Sequence, residues 1–520
     1  MVVDMSDAQI LSGFFPVFPG NDSRQKYPYS RPEFLYFSEE EIMVSADQNI
    51  RPILCPKFNN QMVAYAGYAE VINAGKSIEN EDMAAAKVLT LIQQGYDAEK
   101  AVELPESSRR SIQSARERST SEVRKFTQKE VMKRIKSDED LLDLNMSSSS
   151  DDGSKPKAQA AYFGIFDGHA GSGAAIMSAN RLHEYIKNRL NELLETILHL
   201  YEQESIRPSS INGELKRGNS KNYDTITADS LIVGALEMAF CEMDEQIAAE
   251  KQFVKVFGGC AAIVALFFIG KIFVANAGDC RALLITPNKV QPLSTDFNPA
   301  NERKRLQYLA YRSHDSISPH FTRLEYNRFL TKRDLNRKIL FRDWYMDGWA
   351  TKTVRESDLK PPLISTRCKK PRLLNTIGVS RGFGDHHLMT ADDRIPIKPF
   401  LCPFPEVQIF DTKELESLTD QEVLVLASDG LWDVLSNDEV ADIVRNSLAN
   451  TDQEDCARYT LVAQELVVAA RGDTLETYKW RLANGGMASQ DDISVFVIPL
   501  KFAINLPKNE DDDDEELLVC

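Results

Sequence analysis

Five apolar runs bounded by turn residues recur along the chain: Ala160 to Phe166 (AAYFGIF), Cys260 to Ile269 (CAAIVALFFI), Lys271 to Ala277 (KIFVANA), Glu422 to Ser428 (EVLVLAS) and Ile493 to Leu500 (ISVFVIPL). Short, continuous apolar runs of this kind predict buried strands. Between them the apolar period lengthens to that of a helix over Ala174 to Glu204, Ser230 to Lys251, Asp438 to Leu448 and Tyr459 to Arg471. The third helix opens on a capping box, Ser436-x-x-Glu439, and the fourth stops at Gly472. Strands joined by short turns, with the helices set apart from them, predict an α+β sandwich rather than a parallel βαβ array. The longest apolar stretch, Ala261 to Ala277, is interrupted by Gly270-Lys271. It is shorter than the roughly 20 residues a spanning helix needs, so two strands and no transmembrane segment are expected.

Three segments break this rhythm. Residues 104–157 are charged and serine-rich and end in NMSSSSDDGSKPK, where Ser147 to Ser150 precede Asp151-Asp152 as a candidate site for acid-directed kinases or a plain linker. From Arg303 to Arg372 there are 18 Lys/Arg against 7 Asp/Glu, with nine interleaved aromatic residues, which predicts a folded basic insertion. The end, NEDDDDEELLVC, reads as a solvated acidic tail.

Composition narrows the class. With 520 residues, 43% hydrophobic and 27% charged, the chain can bury a sizeable core. A net charge of −17 argues against general nucleic-acid binding. Eight cysteines without a CxxC pair suggest neither a disulfide framework nor a zinc cage. No basic leader opens the sequence, Val2 stands where myristoylation needs glycine, and the final EELLVC lacks a cysteine fourth from the end. A reducing, cytoplasmic location is expected, with nuclear or peripheral membrane placement as alternatives.

The chemistry is suggested by acids that stand where strands end. Phe166-Asp167-Gly168-His169 and Ser428-Asp429-Gly430 each close an apolar run; Gly278-Asp279 leaves another, Asp491-Asp492 enters the last, and Glu81-Asp82 follows Asn80. A single Asp-Gly is more often a turn than a ligand. Five such places, if they converge, make an oxygen-rich site suited to Mg²⁺ or Mn²⁺ rather than to zinc or copper.

The ordered motifs GIFDGHAG, GGCAAIVAL, ANAGDCRALL, TIGVSRGFGD, LASDGLWDVLS and SQDDISV resemble those of the type 2C metal-dependent protein phosphatases, the PPM family, over most of Val71 to Leu500. VINAGKS, the basic segment and IKPFLCPFPEV are similar to the branch lettered H, J and M. The resemblance implies an αββα sandwich of two antiparallel sheets. It implies a catalytic domain over 61–503, with an insert at 104–157 and an enlarged flap at 303–372, between an N-terminal extension (1–60) and an acidic tail (504–520). It also implies a protein serine/threonine phosphatase in which a water activated by two Mg²⁺ or Mn²⁺ ions attacks phosphoserine or phosphothreonine.

Carried over residue by residue, Asp167 would bridge both cations, with Glu81 and the Gly168 carbonyl on one and Asp429 and Asp491 on the other. Asp279 with Asp429 would hold a weaker third cation, and Asp82 and Asp385 would support the ligands. His169 is the expected proton donor to the leaving alkoxide, with metal ligand or structural histidine as the alternatives. Where many members carry a phosphate-gripping arginine this chain has Ser77, so Lys76 is the candidate grip. Asp492 stands where asparagine is common, either tightening the metal site or facing solvent. The flap is expected to dock acidic phosphoproteins.

Other readings are weaker. Gly384-Asp385-His386-His387 lacks the partner motifs of calcineurin-type enzymes, and no cysteine begins a Cys-x5-Arg motif. A non-catalytic, phosphatase-like scaffold binding phosphoproteins is the remaining alternative.

Overall fold

The computed structural model describes residues 31–77, 80–93, 156–206, 226–250, 258–365, 370–415, 417–474 and 479–506. The first 30 residues, nearly all of the 104–157 insert with its serine run, and the acidic tail from residue 507 lie outside the described residues.

The sandwich strands are β1 (Gly67–Val71), β2 (Met83–Ile92), β3 (Lys157–His169), β4 (Gly259–Phe268), β5 (Lys271–Ala277), β6 (Arg281–Ile285), β7 (Val290–Pro292), β8 (Glu406–Asp411), β9 (Val423–Ala427) and β10 (Ile493–Pro499). They form two sheets, in the orders β1-β10-β9-β6-β7 and β8-β5-β4-β3-β2. Strands β3 and β4 pair antiparallel, from Ala161 opposite Phe267 to His169 opposite Gly259.

Side chains along a strand alternate between faces, and here each face has its own partner. Ala261, Ile263 and Ala265 of β4 point into the space between the sheets with Leu424, Leu426, Phe496 and Ile498. Ala262, Val264 and Leu266 point the other way, onto helices α1 (Gly173–Ile206) and α2 (Ala228–Glu250). Likewise Val425 and Val495 face away from the mid-plane onto a helical layer that includes Val444 and Leu466. This is the expected α+β sandwich with helices on both outer faces. At its centre Phe496 meets Tyr68 and Phe163 at ring-centroid distances of 4.7 and 5.5 Å. Burying each such ring stabilises the fold by about 1.5–3 kcal/mol, which is why the layers hold a fixed register.

The chain that opens the basic segment folds as helix α3 (Arg303–Arg312), and three short strands, Glu325–Tyr326, Lys338–Arg342 and Ala350–Thr353, make a separate sheet. The segment shares an apolar cluster with the chain that follows it: Leu306, Phe321 and Leu363 pack with Leu373, Ile397 and Leu401. Many of its cations are locally paired: Arg323 with Asp343 (2.8 Å), Arg328 with Asp334 (2.6 Å) and Arg342 with Glu325 (2.6 Å). Glu302, just before α3, ties this region to the sandwich. Its carboxylate accepts from Arg305 Nε (2.9 Å), Arg381 Nη2 (2.8 Å) and Ser380 Oγ (2.9 Å).

Helix α4 (Asn437–Asn450) begins on the expected capping box, with Glu439 Oε2 accepting from Ser436 N at 2.8 Å. Helix α5 (Arg458–Arg471) ends where Gly472 adopts φ 66°.

Candidate metal centre

Each acid arrives on a different strand end. Asp167 lies near the end of β3, Asp279 on the short link from β5 to β6, and Asp429 just beyond β9. Asp491 lies just before β10, and Glu81 just before β2. Two glycines let these ends approach. A Cβ on Gly168 would stand 2.3 Å from the Glu81 carbonyl oxygen, and one on Gly430 would stand 1.9 Å from that of Asp492. Only a residue without a side chain fits between these backbones. Gly168 N in turn donates to the Glu81 carbonyl at 3.1 Å, fastening the segment before β2 against the end of β3.

Asp167, Asp279 and Asp429 each offer an oxygen, and all three oxygens lie within 4.8 Å of one another. Burial and repulsion from neighbouring acids perturb Asp167 and Asp279. The Asp167 carboxyl is pushed well above the usual range by burial, then by Asp429, Asp82, Asp491 and Asp279. Asp279 is pushed to about 7 by burial and Asp429. Burial and Asp429 raise Asp491 as well. Like charges crowded in a half-buried place favour either protons or a cation.

Two lysines supply positive charge. Lys370 Nζ lies 2.6 Å from Asp429 Oδ2 and 2.7 Å from Asp433 Oδ2, and Lys76 Nζ bonds Asp491 Oδ2. Burial works against both ammonium ions, but Asp491 for Lys76 and Asp429 for Lys370 outweigh it, so both hold their protons more firmly than usual. Lys76 thus stands on a predicted ligand, with Ser77 beside it bonded to Asn73 at Oγ (2.9 Å).

Glu81 and Asp491 stand outside the trio of carboxylates. Glu81 Oε1 accepts from Gly171 N at 2.6 Å, and Asp491 is held by Lys76. Asp82 is buried and accepts from Ser428 Oγ at 2.7 Å, linking the β2 entrance to the β9 end. His169 Nε2 meets Asp385 Oδ2 at 2.6 Å. Burial opposes the imidazolium, but the bond to Asp385 prevails and the His169 pKa lies above its ordinary value.

Asp492 does not face solvent. It is buried, with Oδ1 accepting from Asn73 N (2.7 Å) and Oδ2 from Glu81 N (2.9 Å), so its extra carboxylate anchors the loop that carries Lys76 and Glu81. The sequence reading also missed Lys370 and Asp433. Asp433 was findable, because four residues after Asp429 puts it on the same side of a helical turn, and the chain is helical over Asp429–Trp432. Lys370 gives no local signal, since its contact spans 59 residues.

The donor set is wholly oxygen, crowded enough to draw in two ammonium groups, and carried on rigid strand ends. That is the chemistry a hard divalent cation requires.

The comparisons with known proteins agree. A family model described as protein phosphatase 2C matches residues 124–312 and 362–473, and the interval between those blocks falls inside the basic segment. Protein phosphatase 1H of Homo sapiens is 40% identical over 510 residues, covering 92% of this chain and 93% of its own. The Danio rerio protein of the same name is 40% identical over 514 residues, covering 93% of each chain. Protein phosphatase 1J of Rattus norvegicus is 37% identical over 506 residues, covering 93% of this chain and 90% of its own. With its two-sheet sandwich, its gathered carboxylates and relatives matched almost end to end, the chain belongs to the protein phosphatase 2C family, in the branch of the 1H and 1J phosphatases.

Proposed function

We propose that this protein phosphatase hydrolyses phosphoserine and phosphothreonine in proteins, at a site holding two Mg²⁺ or Mn²⁺ ions and a weaker third. The observation that carries the reading is the half-buried trio Asp167, Asp279 and Asp429, whose oxygens lie within 4.8 Å of one another. Asp167, Glu81, the Gly168 carbonyl, Asp429 and Asp491 would hold the pair, and Asp279 with Asp429 the third. When bound, the ions neutralise phosphate charge and lower the pKa of a water, making it a nucleophile near neutrality.

The chain's own groups do the rest. His169, held on Asp385, gives its proton to the departing serine or threonine oxygen. Lys76 is the first candidate to grip the phosphate, as a point charge on the same loop as Ser77. Asp82 and Asp492 fix the two strand entrances that carry Glu81 and Asp491. The basic segment docks the protein part of the substrate, through exposed Lys332, Arg333, Arg337 and Lys338. A cavity of about 380 Å³ lined by Arg323, Tyr326, Phe329 and Lys360 lies in the same segment. The place of action is the cytoplasm.

Manganese-dependent hydrolysis of para-nitrophenyl phosphate, reduced at least about a hundredfold by Asp167→Asn with the fold intact, is the expected result. A well-folded wild-type protein inert across a manganese titration would favour the phosphoprotein-binding scaffold.

A further inference from the structure

The bond between His169 and Asp385 is flanked by contacts to a residue in the outer helical layer. Asp385 sits in a strained place: its φ is 52°, in the left-handed region that a residue with a Cβ rarely adopts. Something must hold that turn. Part of the hold is the edge pairing of Phe383–Gly384 with β4, where Gly384 lies opposite Gly259, and the bond from Asp385 N to the Gly258 carbonyl at 2.9 Å.

The remainder comes from helix α2. Asp244 is only 6% exposed, and an uncompensated carboxylate so placed would be costly. It is fully engaged by the chain on both sides of Asp385. Oδ1 accepts from Gly384 N at 2.8 Å and lies 3.0 Å from His386 Nε2, and Oδ2 lies 2.7 Å from Lys398 Nζ. Residues 384 and 386 are therefore clamped to one buried anion while residue 385, between them, presents its carboxylate to His169.

We propose that Asp244 is a positioning residue for proton donation: by clamping Gly384 and His386 it fixes the turn that aims Asp385 at His169. The inference rests on His169 being the proton donor. Lys398 belongs to the same device, because it balances the Asp244 charge, and it brings the IKPFLCPFPEV segment into the support of the site.

The test compares a substrate whose leaving group needs a proton, phenyl phosphate, with one that hardly does, para-nitrophenyl phosphate. The readout is the ratio of kcat/KM between them, with manganese affinity measured calorimetrically in parallel. Asp244→Ala should shift that ratio by roughly tenfold against phenyl phosphate, the scale expected for a supporting partner. Asp244→Asn, which keeps an oxygen for Gly384 N, should shift it in the same direction by less; it decides the matter if the alanine variant does not fold. His169→Ala should shift the ratio more, and the double variant no further than His169→Ala alone. An unchanged ratio in both Asp244 variants, or an additive double variant, overturns the proposal. If His169→Ala itself leaves the ratio unchanged, the donor assignment fails and the proposal falls with it, a result distinct from an effect confined to His169.

Discussion

Replacing Glu302 by glutamine tests whether the basic segment is fastened to the sandwich as described. The Glu302 side chain is 8% exposed and faces Arg305 and Arg381, themselves 27% and 17% exposed. Glutamine keeps the volume and one acceptor oxygen but removes the charge and turns an amide N–H toward one guanidinium. Removing one partner of a buried ion pair costs about 3–5 kcal/mol. Here the guanidinium groups keep carbonyl partners, Arg305 on Phe400 (3.0 Å) and Arg381 on Phe404 (2.9 Å), which argues for the low end, about 3 kcal/mol. In a domain of this size that corresponds to a fall of about 3 °C in Tm.

The same group predicts how the difference varies with pH. Burial alone would raise the Glu302 pKa, but the bonds from Arg305 and Arg381 prevail and hold it below its ordinary value. A folded pKa below the unfolded one stabilises at pH values above the unfolded value, about 4.3, and the benefit is lost as pH falls through the folded value. Thermal and urea unfolding followed by circular dichroism should therefore show the full gap between wild type and Glu302→Gln at pH 7 and a narrowing gap below about pH 4. A gap under about 1 kcal/mol at pH 7, or one that widens in acid, would refute the reasoning.

Gly430→Ala must push its new methyl against the Asp492 carbonyl, so manganese affinity should drop at least about tenfold in a calorimetric titration. Lys370→Gln removes an ammonium that competes for Asp429 and Asp433; being 45% exposed, it should raise divalent affinity only about threefold to fivefold, and weaker binding would contradict the competition. Reversing the charge of Lys332, Arg333, Arg337 and Lys338 to glutamate should lower kcat/KM on an acidic phosphoprotein by at least about tenfold, with para-nitrophenyl phosphate much less affected. Equal losses on both substrates would remove the docking role.

What the sequence disclosed followed local physics. The strands β3, β4, β5, β9 and β10 were legible because both faces are buried, so apolar residues run without interruption. Asp167 and Asp429 were legible because an acid closing such a run demands compensation. Strand β2 was not, since Met83 is followed by three alanines, better helix formers than strand formers, and Met83–Ile92 becomes a strand only through its place beside β3. The anchoring role of Asp492 was hidden because its partners Asn73 and Glu81 lie more than 400 residues away. Arg381 reads as a motif residue, but only the fold shows that it serves Glu302.

Between β5 and β6 the chain spends only Gly278, Asp279 and Cys280 in passing from one sheet to the other. A slip of one residue along a strand moves its end by about 3.3 Å and turns its side chains to the opposite face. Oxygens gathered within 4.8 Å would be scattered by such a slip. The acid trio thus acts as a gauge of alignment between the layers, and added divalent cation should draw a refolding population toward the one arrangement in which both sheets are in step.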